Sequence, residues 1–258
     1  MAPIFAPPIG GFLVEASGWR SVLILAMAAG LAIALLVYFV ISETRPRRNP
    51  NSDFDSEPRS LFGDSIILFQ DMKFTSLSCQ FGLSVGAFFT LDTGSAFIMI
   101  EHLDRPASEY GLYFPLLPGG FLVGNCVSGR LGSWVSIETM VFVATGVMVA
   151  ATTSFAIFTF AGIVSPLTLF GFGCLLTFGQ GMSTAYAQSG LLRVPTNLIG
   201  TAGGVGAFAQ IFGGAVLSQL YGVAADGTPD PLATIVAAAT FLAFAAASIP
   251  FYLNFRST

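Results

Sequence analysis

From Phe74 to Ile100 the chain carries a single charged side chain, Asp92, in a run long enough to cross a bilayer. Comparable apolar runs recur along the rest of the sequence. A spanning helix needs about 20 mostly apolar residues, and complete spans are expected at Val22–Ile41, Phe74–Ile100, Tyr110–Ser128, Thr139–Phe160, Pro166–Gln188, Asn197–Gly222 and Leu232–Leu253. A partial span, Ala2–Val14, precedes them. Its Met-Ala-Pro-Ile-Phe-Ala-Pro-Pro start has no basic region and is broken by prolines, so it is not read as a cleavable signal. It reads as the second half of a spanning helix.

Only 9% of the 258 residues are charged and 54% are hydrophobic, where a soluble domain has about 25% charged residues. So many apolar surfaces cannot share one buried core; they must face lipid. The fold class expected is therefore an all-α polytopic membrane bundle. Glycine is abundant at 29 residues, which lets helix backbones approach one another closely in a membrane.

Charge in the connections sets the expected orientation. Arg45, Arg47, Arg48, Arg59 and Lys73 lie in or at the end of the one long linker, Ser42–Lys73. Arg130, Arg193 and Arg256 fall in every second connection after it and at the C-terminus. Only Arg20 and Arg105 fall in the alternate connections, among Glu15, Glu101, Asp104, Glu109, Asp226 and Asp230. Eight basic residues against two predict a cytoplasmic linker and C-terminus. The linker is polar and rich in proline, and Leu61–Phe69 regains an apolar character suited to the membrane surface. Three segments follow: 1–41, the end of one helical half; 42–73, the linker; and 74–258, a six-helix unit.

Several function classes find no support. No basic run with interleaved aromatics points to nucleic acid. No phosphate loop, nucleophile elbow or paired intramembrane carboxylate points to an enzyme. His102 is the only histidine and reads as a surface residue, so neither a metal nor a cofactor is expected. Cys79, Cys126 and Cys174 lie in apolar runs and read as packing residues.

Asp92 is the first candidate for function. A carboxylate near the middle of a span costs about 2.5–3.5 kcal/mol on insertion scales. Removal from water disfavours its charged form, a property that suits it to carry a proton. The alternative is a carboxyl bonded to Thr90, Thr93 or a facing hydroxyl, with no transport role. Gln210 lies on a strip with Gly206 and Gly214, and Gly200 and Gly204 share the same four-residue spacing. That strip reads either as a packing seam with Gln210 as glue or as a cavity lining. Asn125, Gln180 and Tyr186 are further polar groups at membrane depth. Gln80 and Gln188 are placed near the cytoplasmic ends. Pro115 and Pro118, followed by Gly119 and Gly120, predict a kink that is either a gate or a fixed bend.

The whole pattern resembles the major facilitator superfamily, whose members have two six-helix halves joined by a long cytoplasmic loop. Phe5-Ala-Pro-Pro-Ile-Gly-Gly is similar to the end of that superfamily's antiporter motif, with Pro7, Gly10 and Gly11 as its remnant and Ala6 in place of a glycine. Gly18-Trp19-Arg20 and Glu43-Thr44 resemble the signatures flanking the sixth helix in the Bcr/CflA drug-resistance subfamily. Gly200-Thr201-Ala202 through Gln210 resembles its eleventh helix. Ser128-Gly129-Arg130-Leu131 is a weaker echo of the inter-helix loop motif, without its aspartate and terminal basic pair.

The resemblance implies a C-terminal six-helix half plus the last one and a half helices of the first half, in a truncated product or incomplete gene model. It implies multidrug efflux of small amphipathic compounds by a proton antiporter across the bacterial inner membrane. The lipid bilayer, the small-molecule substrate and protons would be the partners, and the missing N-terminal half would be required for function. A non-transporting fragment, a half-transporter assembly unit and an uptake symporter remain alternatives.

Overall fold

The computed structural model describes residues 13, 17–40, 61–132 and 134–255, without the side chains of Ala107, Ser108 and Phe255. Pro7, Gly10, Gly11, Glu43, Thr44, most of the linker and Arg256 lie outside the described residues. The described residues are helical, with no strand among them. They fall in two compact units, 1–59 and 60–258.

The first unit holds α1, Trp19–Val40. None of its residues is buried, although it is the most apolar of the helices by mean hydropathy, 2.7. Such a helix needs an apolar solvent or partner along its whole length. At its start, the Ser21 hydroxyl donates to the Leu13 carbonyl at 3.0 Å, and the Arg20 guanidinium sits 4.5 Å from the Trp19 ring centre.

The second unit begins with the short helix α2, Leu61–Gln70. It is followed by α3, Met72–Phe97, whose last turn widens into a π-turn over Ile98–His102. Next come α4, Ala107–Tyr113, and α5, Leu116–Leu131. The unit closes with α6, Ile137–Phe160; α7, Pro166–Leu191; α8, Ile199–Ala224; and α9, Asp230–Phe255.

Local chemistry explains the boundaries. The Asp71 carboxylate accepts from Lys73 N–H at 2.8 Å at the start of α3. Ser136 accepts from Thr139 N–H at the start of α6. Ser165 and Thr168 form a reciprocal capping box at the start of α7, with Pro166 in the first turn, where its missing N–H has no intrahelical partner to lose. Between α8 and α9, Gly227 turns the chain at φ 88°. Asp226 beside it accepts from Thr228 N–H at 2.9 Å and Thr228 O–H at 2.6 Å; those bonds hold its carboxyl below the usual carboxylate range.

Among the described residues, five helices are long and apolar enough to cross a membrane: Trp19–Val40, Met72–His102, Ile137–Phe160, Thr196–Ala224 and Asp230–Asn254. Two expected spans differ. Tyr110–Ser128 is two helices rather than one, broken at Phe114–Pro115. Pro115 and Pro118 have no N–H, and Phe114 O accepts from Leu117 N–H at 3.0 Å, a tighter turn than an α-helix makes. The other is Pro166–Gln188, which forms the 26-residue helix α7 but is not among the five most apolar. It packs against α5, α6 and α3, so much of it faces protein instead of lipid. Its buried residues include Thr177, Gln180 and Ser183.

Close backbone approaches hold the unit together. Gly120 and Gly124 on α5 pack against the carbonyls of Cys174 and Phe178 on α7, and Gly181 on α7 packs against the Phe121 carbonyl on α5. A second seam joins α3 to α8: Gly82 lies under Ala209 and Gly86 under Gly213. The glycine strip on α8 reads in sequence either as such a seam or as a cavity lining. Gly200 and Gly204 instead face open space, while Gly206 meets the side chain of Leu191 and Gly214 that of Phe89. The seam residues are one helix face round from the expected strip.

Candidate functional site

Asp92 lies about five residues past the middle of the continuous Met72–His102 span, roughly 7 Å along the axis at 1.5 Å per residue, toward the end that carries Arg105. It is half-buried, and its Oδ1 is buried with no hydrogen-bond partner among the described residues. The alternative bond, from Thr90, is not made: the Thr90 hydroxyl donates to the Gly86 carbonyl at 2.8 Å. Thr93 is exposed. The Ser95 hydroxyl bonds the backbone carbonyl of Asp92 at 2.8 Å, not its carboxylate. Burial without a partner is costly for a carboxylate.

Tyr110 of α4 packs against the core beside α3. Its ring packs on Phe170 of α7 at 5.7 Å between centres and on Phe114 at 5.7 Å. Tyr113, one turn on, stacks on the same Phe170 at 5.7 Å and 19° between planes. Phe170 is fully buried in a core cluster with Leu91 and Ile98 of α3. Sequence reading treated Tyr110 only as the start of a span. The single signal for it was a tyrosine, an aromatic with a polar tip, a few residues past an acidic loop.

The other candidates do not gather round Asp92. Gln180 and Gln210 lie near the middles of α7 and α8; Gln180 is 5% exposed and Gln210 is half-buried. Asn125 and Tyr186 lie toward the opposite end from Asp92. Asn125 Nδ2 donates to Phe121 O of its own helix at 3.1 Å. Tyr186 O–H donates across to Ser128 O of α5 at 3.1 Å, beside an open cleft of about 360 Å³ lined by Ser136, Ser189 and Arg193.

Gln80 differs from its expected wetted position at a helix end. It is fully buried on α3, and neither amide atom has a hydrogen-bond partner among the described residues. Its depth was read from its distance along the chain. That distance says nothing about the helix side, and Gln80 falls on the side covered by other helices. Gln188 is exposed. His102 is exposed and makes a 3.2 Å contact from Nδ1 to the Gly227 carbonyl, tying two loops. No cluster of three or more metal-ligating side chains occurs among the described residues.

Comparison with known proteins places this geometry. The family model described as Major Facilitator Superfamily matches residues 1–218. The chain is similar to the bicyclomycin resistance protein homolog of Haemophilus influenzae, 24% identical over 144 residues, which are 56% of this chain and 35% of that protein. It is similar to the multidrug resistance protein MdtL of Escherichia coli, 26% identical over 246 residues, 93% of this chain and 58% of that protein. The MdtL of Salmonella heidelberg is 25% identical over 235 residues, 86% of this chain and 57% of that protein. The chain thus spans less than two thirds of the length of each of these relatives. A match over residues 1–218 takes in α1 and the helices through most of α8, and it agrees with an all-α chain carrying several membrane-length helices: this is a multi-pass membrane protein that belongs to the Major Facilitator Superfamily.

Proposed function

We propose that the chain forms the C-terminal six-helix half, with the end of the first half, of a proton-coupled carrier that exports small amphipathic drug-like compounds across the bacterial inner membrane. In this reading 1–41 closes the first half, 42–73 is the cytoplasmic linker and 74–258 is the second half, with the C-terminus cytoplasmic. The resistance proteins to which it is similar support the export of drugs. The eight-to-two split of basic residues supports the orientation.

One observation carries the proton-coupled part: the half-buried Asp92, whose Oδ1 lacks a partner. An intramembrane carboxylate that can shed or keep a proton is what an antiporter must bias between its two facing states. Gln210 and Gln180, near the middles of α8 and α7, are the proposed cavity-lining groups, with Asn125 and Tyr186 toward the cytoplasmic end. Substrate sites in this kind of carrier lie at mid-membrane between repeats, so a second helical half is required for turnover.

The test is Asp92→Asn in a carrier bearing both helical halves, read as pH-gradient-driven accumulation of a fluorescent amphipathic cation inside inverted vesicles, where the export direction points into the lumen. Export is expected to vanish while membrane insertion stays normal. Export that keeps its full dependence on the pH gradient would remove Asp92 from the mechanism.

A further inference from the structure

Arg193 is the one charged side chain among the described residues that line a cleft of about 360 Å³, at the end of the six-helix unit opposite Asp92. Gly132 borders the cleft from the end of α5, Ser136 and Ile137 from the start of α6, and Tyr186 and Ser189 from the last turns of α7. Arg193 sits just past α7. Among the described residues the one ion pair is Arg105–Glu109, at 3.6 Å, so the Arg193 guanidinium has no carboxylate partner there. Arg193 also borders a second opening, with Asp71, Lys73 and Glu138. Asp71 caps the start of α3. Glu138 lies in the first turn of α6, where a helix favours an acid.

The walls are fixed by bonds that leave donors to spare. Tyr186 O–H ties α7 to Ser128 O of α5 at 3.1 Å, and a β-carbon at Gly132 would stand 3.0 Å from that hydroxyl. Ser136 accepts from Thr139 N–H at 3.3 Å, and Arg193 N–H donates to Gly190 O at 3.1 Å. The Ser189 hydroxyl and the Arg193 guanidinium both line the cleft, and neither has a hydrogen-bond acceptor among the described residues. Depth is marked by Trp134, which is 85% exposed next to the cleft's Val135. An exposed indole at the ends of spanning helices sits at headgroup level. The cleft therefore opens among lipid headgroups.

We infer that this cleft binds the headgroup of an anionic membrane phospholipid, with its phosphate taken by the Arg193 guanidinium and the Ser189 hydroxyl. A guanidinium offers a planar fork of donors that matches phosphate oxygens, and basic pockets between spanning helices hold anionic headgroups. The size agrees: about 360 Å³ lies within the range of small-molecule pockets, about 300–1,000 Å³. The sign agrees too. The described lining of this cleft has no carboxylate to meet the ammonium of a zwitterionic headgroup. Val135, Ile137 and the neighbouring Trp134 give the glycerol and upper acyl carbons an apolar rim, which a free phosphate ion would not use. Such a lipid would brace α5, α6 and α7 at the end where all three meet, whatever the role of Asp92.

The test uses the full chain in phosphatidylcholine nanodiscs with a rising minor fraction of brominated phosphatidylglycerol. Trp19→Phe leaves Trp134 as the only tryptophan, and bromine on an acyl chain beside it quenches its fluorescence. The salt is held at about 1 M, where the Debye length is about 3 Å, so that only close contacts count. Brominated phosphatidylglycerol is expected to quench at a lower fraction than brominated phosphatidylcholine does. Arg193→Gln should raise the half-quenching fraction roughly tenfold, because charge-assisted bonds to the phosphate are lost. Ser189→Phe fills the cleft from an exposed position, keeps the charge and should act in the same direction. Arg130→Gln removes an exposed cation at the same end that does not line the cleft and should change nothing. Equal quenching by the two lipids, an unmoved fraction in either cleft variant, or an equal shift in Arg130→Gln would overturn the inference. Soluble glycerol phosphate that abolishes the excess quenching would assign the cleft to a free anion and overturn the lipid as its occupant.

Discussion

Gly86 on α3 lies against Gly213 on α8 so closely that a β-carbon at position 86 would stand 2.7 Å from the Gly213 carbonyl oxygen and 2.5 Å from Leu217 Cδ1. The leucine can turn away; the carbonyl cannot. Gly86→Ala should therefore push the two helices apart and destabilise the unit by about 1–3 kcal/mol, the range for overpacked cores. Gly204→Ala is the control, because nothing lies within 4 Å of a β-carbon there. Thermal unfolding in detergent is expected to show a clear drop for the first variant and none for the second. Equal behaviour of the two would mean that this seam does not hold α3 to α8.

Thr152 on α6 and Thr240 on α9 share a buried hydrogen bond of 2.7 Å between their hydroxyls. Each hydroxyl also lies near carbonyls of its own helix, Thr152 near Met148 O and Thr240 near Val236 O. Each therefore keeps a local acceptor when the other is removed. Thr152→Val should cost about 0.6 kcal/mol, the average for such inter-helix bonds in membranes, and not more than about 1.7. The double variant with Thr240→Val should cost little beyond the single one, because both report the same bond. Reversible unfolding in mixed micelles gives the cycle, and additive costs would show that the two threonines act separately.

These contacts mark where sequence reading stops. Most of the long helices were legible, because bilayer thickness sets their length; the caps Ser136, Ser165 and Asp71, and the break of Tyr110–Ser128 into two helices, came only with the structure. The seam was not legible either. A strip such as Gly206, Gln210 and Gly214 says which residues share a side of α8, yet not which side a neighbour covers. Ala209 and Gly213, on the adjoining side, are the ones that meet Gly82 and Gly86. Asp92 stood out because one charge in an apolar run is conspicuous. The packing of Tyr110 on Phe170 did not, because it joins two helices far apart in the chain and no local pattern links them. Gln80 was misread for the same reason: burial is decided by the helices packed round it.

The break at Pro115 separates α4, with Tyr110 and Tyr113, from the α5 segment that packs on α7. Pro115→Ala restores an N–H and so lets one more bond form across the junction, to the Gly111 carbonyl four residues earlier. Pro118 still interrupts the next turn, so the straightening is partial and α5 keeps its close packing through Gly120 and Gly124. If α4 moves during the cycle, a stiffer junction should slow turnover, by roughly threefold or more where such a step limits the rate. Thermal stability should hold or rise. If the bend is only a fixed shape, Pro115→Ala should leave turnover at the parent rate. Initial rates of substrate accumulation in inverted vesicles at saturating substrate, normalised to carrier amount, distinguish a moving element from a static bend.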